Sequence, residues 1–187
     1  VLFGSVLAIL VLERLAELAV ARRHEGALAA RGGYPVGDGH YPVMVALHTG
    51  FLGACAVEVF LVGRPFLPAL GWPMVALVAA TMALRWWVIA TLGERWTTRI
   101  WVVPGAPRVS GGPFRWLRHP NYLAVAVELV ALPLVHTAWV TALAFGGANL
   151  LLLAHRIRTE DRALDRAQRS GSATGPGSDR VAGPRSP

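Results

Sequence analysis

Residues 122–154 read YLAVAVELVALPLVHTAWVTALAFGGANLLLLA, a 33-residue stretch in which Glu128 is the sole Asp, Glu, Lys or Arg. At ~1.5 Å per residue, one helix of that length would reach ~50 Å, well beyond the ~30 Å hydrocarbon core of a bilayer. Pro133 lies near the middle and cannot donate a helical hydrogen bond. The stretch therefore reads as two antiparallel spans, about 122–135 and 138–154, forming a helical hairpin. The first is short for an independent crossing, so it is expected to tilt or to be shielded by other helices.

Working outward, three more apolar runs precede the hairpin. Val1–Val20 carries Glu13, Arg14 and Glu17 and is followed by Arg22 and Arg23. It has neither the basic n-region nor the small-residue cleavage site of a signal peptide, so it reads as a span. A polar, Gly-rich stretch, 24–42, reads as a loop. The second run, about Val43–Val62, contains His48 and Glu58 and ends in a turn at Gly63, Arg64 and Pro65. The third, about Leu67–Leu92, carries Arg85, Trp86 and Trp87 near its far end. Glu58 and Arg85 fall toward opposite ends of neighbouring spans and are not expected to pair. A connector, 93–121, holds Arg95, Arg99, Arg108, Arg115 and Arg118 together with four prolines. Beyond the hairpin, His155–Gln168 reads HRIRTEDRALDRAQ, a charged amphipathic helix, and 169–187 is Ser-, Gly-, Pro- and Arg-rich, the composition of a disordered tail.

The expected architecture is an all-α integral membrane protein with about five transmembrane helices, a single domain over 1–168 and a disordered tail at 169–187. Arginine placement sets its orientation. With the N-terminus outside, Arg22, Arg23, Arg31, the connector arginines and the tail all face the cytoplasm, and only Arg64 lies in an outside loop. The positive-inside rule favours that arrangement, N-out and C-in.

Composition agrees. The chain is 54% hydrophobic and 16% charged, against roughly a quarter charged in soluble domains. All 18 basic residues are arginine, and the sequence pI is about 11.1. That pI does not imply nucleic-acid binding, because the arginines border apolar runs instead of forming a stripe interleaved with exposed aromatics. The single cysteine, Cys55, sits in an apolar run and excludes a disulfide framework and zinc spacing; it is expected to pack as a small hydrophobe. No metal site is expected. Walker, GxGxxG, HExxH and GxSxG patterns are all missing from the sequence.

Three features fall on the inner face under this topology. The first is GGPFRWLRHPNY, 111–122. Pro120 favours an extended His119 and can open the next helix at its first position, leaving Arg118, His119 and Tyr122 at a helix entrance that attracts anions. The alternative is an arginine-rich anchor bordering a span. The second is RIRTED, 156–161: Arg156 and Glu160 share a helix face, either as a weak surface ion pair or as the charged wall of a polar pocket. The third is Arg85, Trp86 and Trp87 with GERWTTR, 93–99, either an aromatic belt at the membrane boundary or a mouth for an amphiphilic substrate. Among the intramembrane ionisable groups, His48 either lines the same cavity as Arg85 or is satisfied by a neighbouring carbonyl. Glu128 fits a structural hydrogen-bond partner equally well.

GGPFRWLRHPNYLAV, then a hairpin, then RIRTEDRAL resembles the isoprenylcysteine carboxyl methyltransferase family over roughly residues 85–165. Its signature runs from Gly-Pro-aromatic-Arg into Arg-His-Pro-x-Tyr, then two spans, then Arg-Ile-x-x-Glu-Glu; Asp161 replaces the last Glu. HYPVMVALHTGFL and LRWWVIATLGERWTTRIWVVPGAP are similar to a bacterial branch associated with type III polyketide synthases, which O-methylates alkylpyrones or alkylresorcinols. The resemblance implies a bacterial plasma-membrane enzyme using S-adenosylmethionine. Arg118, His119, Pro120, Tyr122, Arg156 and Glu160 would then hold that cofactor, Arg156 and Glu160 would act catalytically, and a type III polyketide synthase would share the pathway. His48, Arg85, Trp86 and Arg95 are the expected head-group contacts for a lipophilic acceptor. The expected reaction is SN2 transfer to an acidic enol or phenol oxygen, carried mainly by positioning. Methylation of a prenylcysteine-like or other lipid carboxylate, an NADPH-using membrane reductase and a non-catalytic transporter or assembly subunit are the rival readings.

Overall fold

The computed structural model describes residues 1–173. It contains five long helices: α1 (Leu2–Ala30), α2 (Tyr41–Ala56), α3 (Pro68–Leu92), α4 (Pro120–Leu134) and α5 (Trp139–Ala173). Each expected apolar segment is a helix. Among the described residues three helical stretches are individually long and apolar enough to cross a membrane, Tyr41–Leu61, Pro68–Arg95 and Trp139–Arg169. The fourth, α4, has 15 residues, about 22 Å at the helical rise. Its shortness is matched by burial: Ala124, Val125, Glu128, Leu129 and residues 131–134 are enclosed by the bundle. Helix α4 packs between α3 and α5, so protein, not lipid, surrounds most of it. The first, α1, spends part of its length on Glu13, Arg14 and Glu17, whose partners lie on α3 and α4.

The outer surface is oily. Ile9, Leu12, Leu15, Val43, Phe60, Leu61, Trp72, Leu143, Leu150 and Leu151 all face outward. A contiguous exposed apolar surface of this kind is the mark of a lipid-facing bundle. The interior cluster joins Phe3, Leu10, Phe51, Cys55, Val78, Leu129, Leu132 and Val135 from all the upstream helices and α4. Cys55 packs there as a small apolar group, as its sequence context indicates.

Three details depart from the sequence expectation. Helix α1 runs on to Ala30 and takes in the first part of the 24–42 loop. The remainder of that loop and the 93–121 connector exchange a short antiparallel ribbon, β1 (Tyr34–Val36) with β2 (Ile100–Val102), pairing Tyr34 with Val102 and Val36 with Ile100. The fold is thus helical with one two-stranded ribbon, a pairing across more than sixty positions that local pattern does not reveal. Finally, the last span and the charged amphipathic helix are one continuous 35-residue helix. It carries through residues 169–173, which were expected to be disordered; the rest of the expected tail, 174–187, lies outside the described residues.

Glu58 organises the hairpin turn. It sits in a π-helical extension of α2 (Val57–Leu61), a local widening that often reorients a functional side chain. Its carboxylate accepts the Thr141 N–H at 2.7 Å, the Thr141 hydroxyl at 2.6 Å and the Val140 N–H at 3.2 Å, and it pairs with Arg64 at 2.7 Å. The start of α5 is therefore capped by a charge borrowed from another helix. Thr137, at φ 52°, donates its hydroxyl to the Pro65 carbonyl at 3.0 Å and ties the same turn to the α2–α3 loop. As read from sequence, Glu58 and Arg85 belong to different clusters.

Candidate active site

The Gly111–Gly112–Pro113 turn lets the connector fold back against α3. Gly112 has φ 54°, and a Cβ there would lie 2.3 Å from the Thr91 hydroxyl oxygen. Both facts require glycine. The chain then enters α4 at Pro120, in the first helical turn, with His119 just before it. This places Arg118, His119 and Tyr122 at the helix mouth. From the other side, α5 presents Asn149, Leu152, Leu153, Arg156, Glu160 and Leu164 on one face, at helical spacings of three and four. Between the two faces lies a cavity of 310 Å³, closed by α1, α2, α3 and the 95–101 segment.

At the mouth, the Tyr122 hydroxyl donates to the Glu160 carboxylate. The His119 ring stacks on Tyr122 with centroids 5.5 Å apart. Arg156, only 5% exposed, donates to the Thr98 carbonyl at 3.0 Å, contacts the Met44 sulfur and lies over the Tyr122 ring at 5.8 Å. Of the two readings offered by its spacing, Arg156 follows the second: it turns into the cavity, while Glu160 takes Tyr122. Asp161, which departs from the signature, stands 3.5 Å from His119 Nε2 and 3.7 Å from Arg118. All six residues expected around the cofactor, Arg118, His119, Pro120, Tyr122, Arg156 and Glu160, line this one cavity.

The expected head-group residues divide. His48, Arg85 and Arg95 are on the cavity wall. Trp86 is not: it is 41% exposed on the outer surface, beside the equally outward Trp87, where the belt alternative places both. Arg95 donates to the Pro107 carbonyl at 2.7 Å and so braces the connector. Arg85 is 4% exposed and held by Glu128 at 2.8 Å and Glu17 at 3.2 Å. Arg14 joins them through Glu128 at 2.9 Å, Glu13 at 3.4 Å and Glu17. These five groups, all buried except the half-buried Arg14, form one network, and its ties make Arg85 a poor free hand for an acceptor. His48 satisfies both sequence readings at once, lining the cavity while its Nδ1–H donates to the Met44 carbonyl at 2.8 Å.

Sequence reasoning passed over two residues. Asn149 is wholly buried on the cavity wall, and neither amide atom has a hydrogen-bond partner among the described residues. Its signal was a lone amide in an apolar run. Asp161 was noted only as a departure from the signature.

The residues suit a sulfonium amino-acid nucleoside. Buried polar atoms stay unsatisfied only at a substantial penalty, yet His119 Nε2, Asn121 Oδ1 and Arg156 Nε all lack hydrogen-bond partners here. A ligand with a carboxylate, an ammonium group and ribose hydroxyls supplies complements to the arginines, to Glu160 and Asp161, and to the amide oxygen.

Residues 74–166 match the isoprenylcysteine carboxyl methyltransferase (ICMT) family. The chain is also 38% identical over 164 residues to the uncharacterized protein YpbQ of Bacillus subtilis, covering 87% of this chain and 96% of that one. The chain belongs to the isoprenylcysteine carboxyl methyltransferase family. An uncharacterized Haemophilus influenzae protein is 32% identical over 163 residues, covering 87% of this chain and 92% of its own. No solved structure matches the chain. Membership makes it a membrane methyltransferase, and enzymes of the isoprenylcysteine carboxyl methyltransferase family generally take the methyl group from S-adenosylmethionine.

Proposed function

We propose that the chain is an S-adenosylmethionine-dependent O-methyltransferase of the bacterial plasma membrane, acting on the enol or phenol hydroxyl of an alkylpyrone or alkylresorcinol. The observation that carries this reading is the meeting of the Arg118-His119-Pro120-x-Tyr122 turn with Arg156 and Glu160 around one cavity. The chain is threaded five times through the bilayer, N-out and C-in, so that this mouth opens to the cytoplasm, where the donor is soluble.

S-adenosylmethionine brings an activated methyl on a sulfonium. Arg118 and Arg156 would hold its carboxylate, Glu160 and Asp161 would balance its ammonium group, and the stacked rings of His119 and Tyr122 would flank it. Arg156 and Glu160 would also close the reacting end, and catalysis would rest on holding donor and acceptor in line. The apolar lower wall, with Leu18, Val45, Leu52, Val88 and Leu153, suits an alkyl tail entering from the bilayer. A type III polyketide synthase in the same pathway would supply such an acceptor.

The family name favours a second acceptor, a lipid or prenylcysteine-like carboxylate. Purified protein with methyl-labelled S-adenosylmethionine and each acceptor class separates the readings. Label in the pyrone or resorcinol ether supports the first; label in a base-labile methyl ester alone overturns it in favour of the second.

A further inference from the structure

The cavity has a deeper level that the donor site leaves unused. Asn149 precedes Arg156 by seven residues on α5, and His48 follows Met44 by four on α2. With the Met44 sulfur against Arg156, both lie on the order of 6–10 Å further into the bundle than that contact. The wall at this level also includes Arg14, Glu17 and Arg85.

Two observations say that this level receives a polar group. Asn149 is 0% exposed with both amide atoms unpartnered, so it has a donor and an acceptor waiting for a ligand. His48 has a defined tautomer. A carbonyl can only accept, so the 2.8 Å contact to the Met44 carbonyl places the proton on Nδ1. Nε2 then carries the lone pair, and none of the described residues hydrogen-bonds it. The adjacent network sets the charge balance. With every group ionised, Glu13, Glu17 and Glu128 exceed Arg14 and Arg85 by one negative charge.

We propose that His48 is the general base of the methyl transfer, its Nε2 taking the proton of the acceptor hydroxyl while Asn149 holds the acceptor's neighbouring oxygen. This rests on the O-methyltransferase reading and adds to it the ability to use a neutral hydroxyl. In the step, the hydroxyl O–H breaks and its proton passes to Nε2. The acceptor oxygen bonds to the methyl carbon as the carbon–sulfur bond breaks, the electron pair staying on sulfur. The positive charge of the sulfonium is thereby exchanged for that of an imidazolium.

The test compares two acceptors at pH 7 with wild-type protein and His48→Gln. An alkylresorcinol keeps its proton, being a phenol with pKa near ~10; a 4-hydroxypyrone, a vinylogous acid, is largely ionised already. The base assignment predicts that His48→Gln lowers kcat on the resorcinol by about 100-fold or more, the usual range for general-base removal, and on the pyrone by less than about tenfold. Titration with S-adenosylhomocysteine confirms that the variant is folded. An equal loss on both acceptors, or no loss on the resorcinol, overturns the assignment while leaving the methyltransferase reading intact. Wild-type turnover of neither acceptor overturns both.

Discussion

Replacing Arg85 by leucine should destabilise the bundle more than any single change at the mouth. Arg85 is 4% exposed and neutralises Glu17 and Glu128, themselves 3% and 5% exposed. Without it, Arg14 alone faces three carboxylates, and the network passes from one excess negative charge to two. Removing one partner of a buried ion pair typically costs about 3–5 kcal/mol, since the remaining charge is left unsolvated. We expect a loss in that range. Glu128→Gln should be milder, at about 2 kcal/mol, because it removes the excess charge and keeps an amide oxygen for the two arginines. The double variant Arg85→Leu/Glu128→Leu should recover at least half of the Arg85→Leu loss, as apolar replacements of buried pairs often do. Equilibrium unfolding in mixed detergent–SDS micelles, followed by tryptophan fluorescence, measures all three. A loss below about 1 kcal/mol for Arg85→Leu, or a double variant no better than the single, would refute the network account.

Three further outcomes follow from local geometry. Glu58→Ala should lower stability by about 2 kcal/mol in the same assay, because it uncaps α5 and leaves Arg64 without its carboxylate. Gly112→Ala should impair S-adenosylhomocysteine binding by displacing the connector, since the new methyl group would meet Thr91 at a φ that L residues rarely adopt; calorimetric titration reads the loss. Tyr122→Phe should weaken the same ligand by about 5- to 10-fold, roughly 1–1.4 kcal/mol, by leaving Glu160 without its hydroxyl donor.

The helices were legible because bilayer-length apolar runs are a strong one-dimensional signal, and the hairpin because Pro133 interrupts a run too long for one crossing. That Arg118, His119, Pro120, Tyr122, Arg156 and Glu160 share one cavity was legible through the family resemblance, since Pro120 at a helix start and the common face of Arg156 and Glu160 fit an anchor and a surface ion pair as well. What stayed hidden depended on partners far along the chain. Glu13, Arg14 and Glu17 look like a poor end to a span until α3 and α4 bring Arg85 and Glu128 to them. The β1–β2 ribbon has three residues per strand and too little alternation to register. The continuity of α5 past His155 was missed because composition changes there while helix propensity does not. Trp86 was drawn to the site by its neighbour Arg85, yet adjacent helical positions point about 100° apart, and only Arg85 faces inward.

Calorimetric titration of the folded, detergent-solubilised protein with S-adenosylmethionine and S-adenosylhomocysteine, beside Glu160→Ala, tests the central claim most directly. The account predicts saturable one-site binding of both ligands, weakened at least tenfold in the variant. Folded wild-type protein that binds neither ligand, or a Glu160→Ala variant that binds them as tightly as wild type, would contradict it.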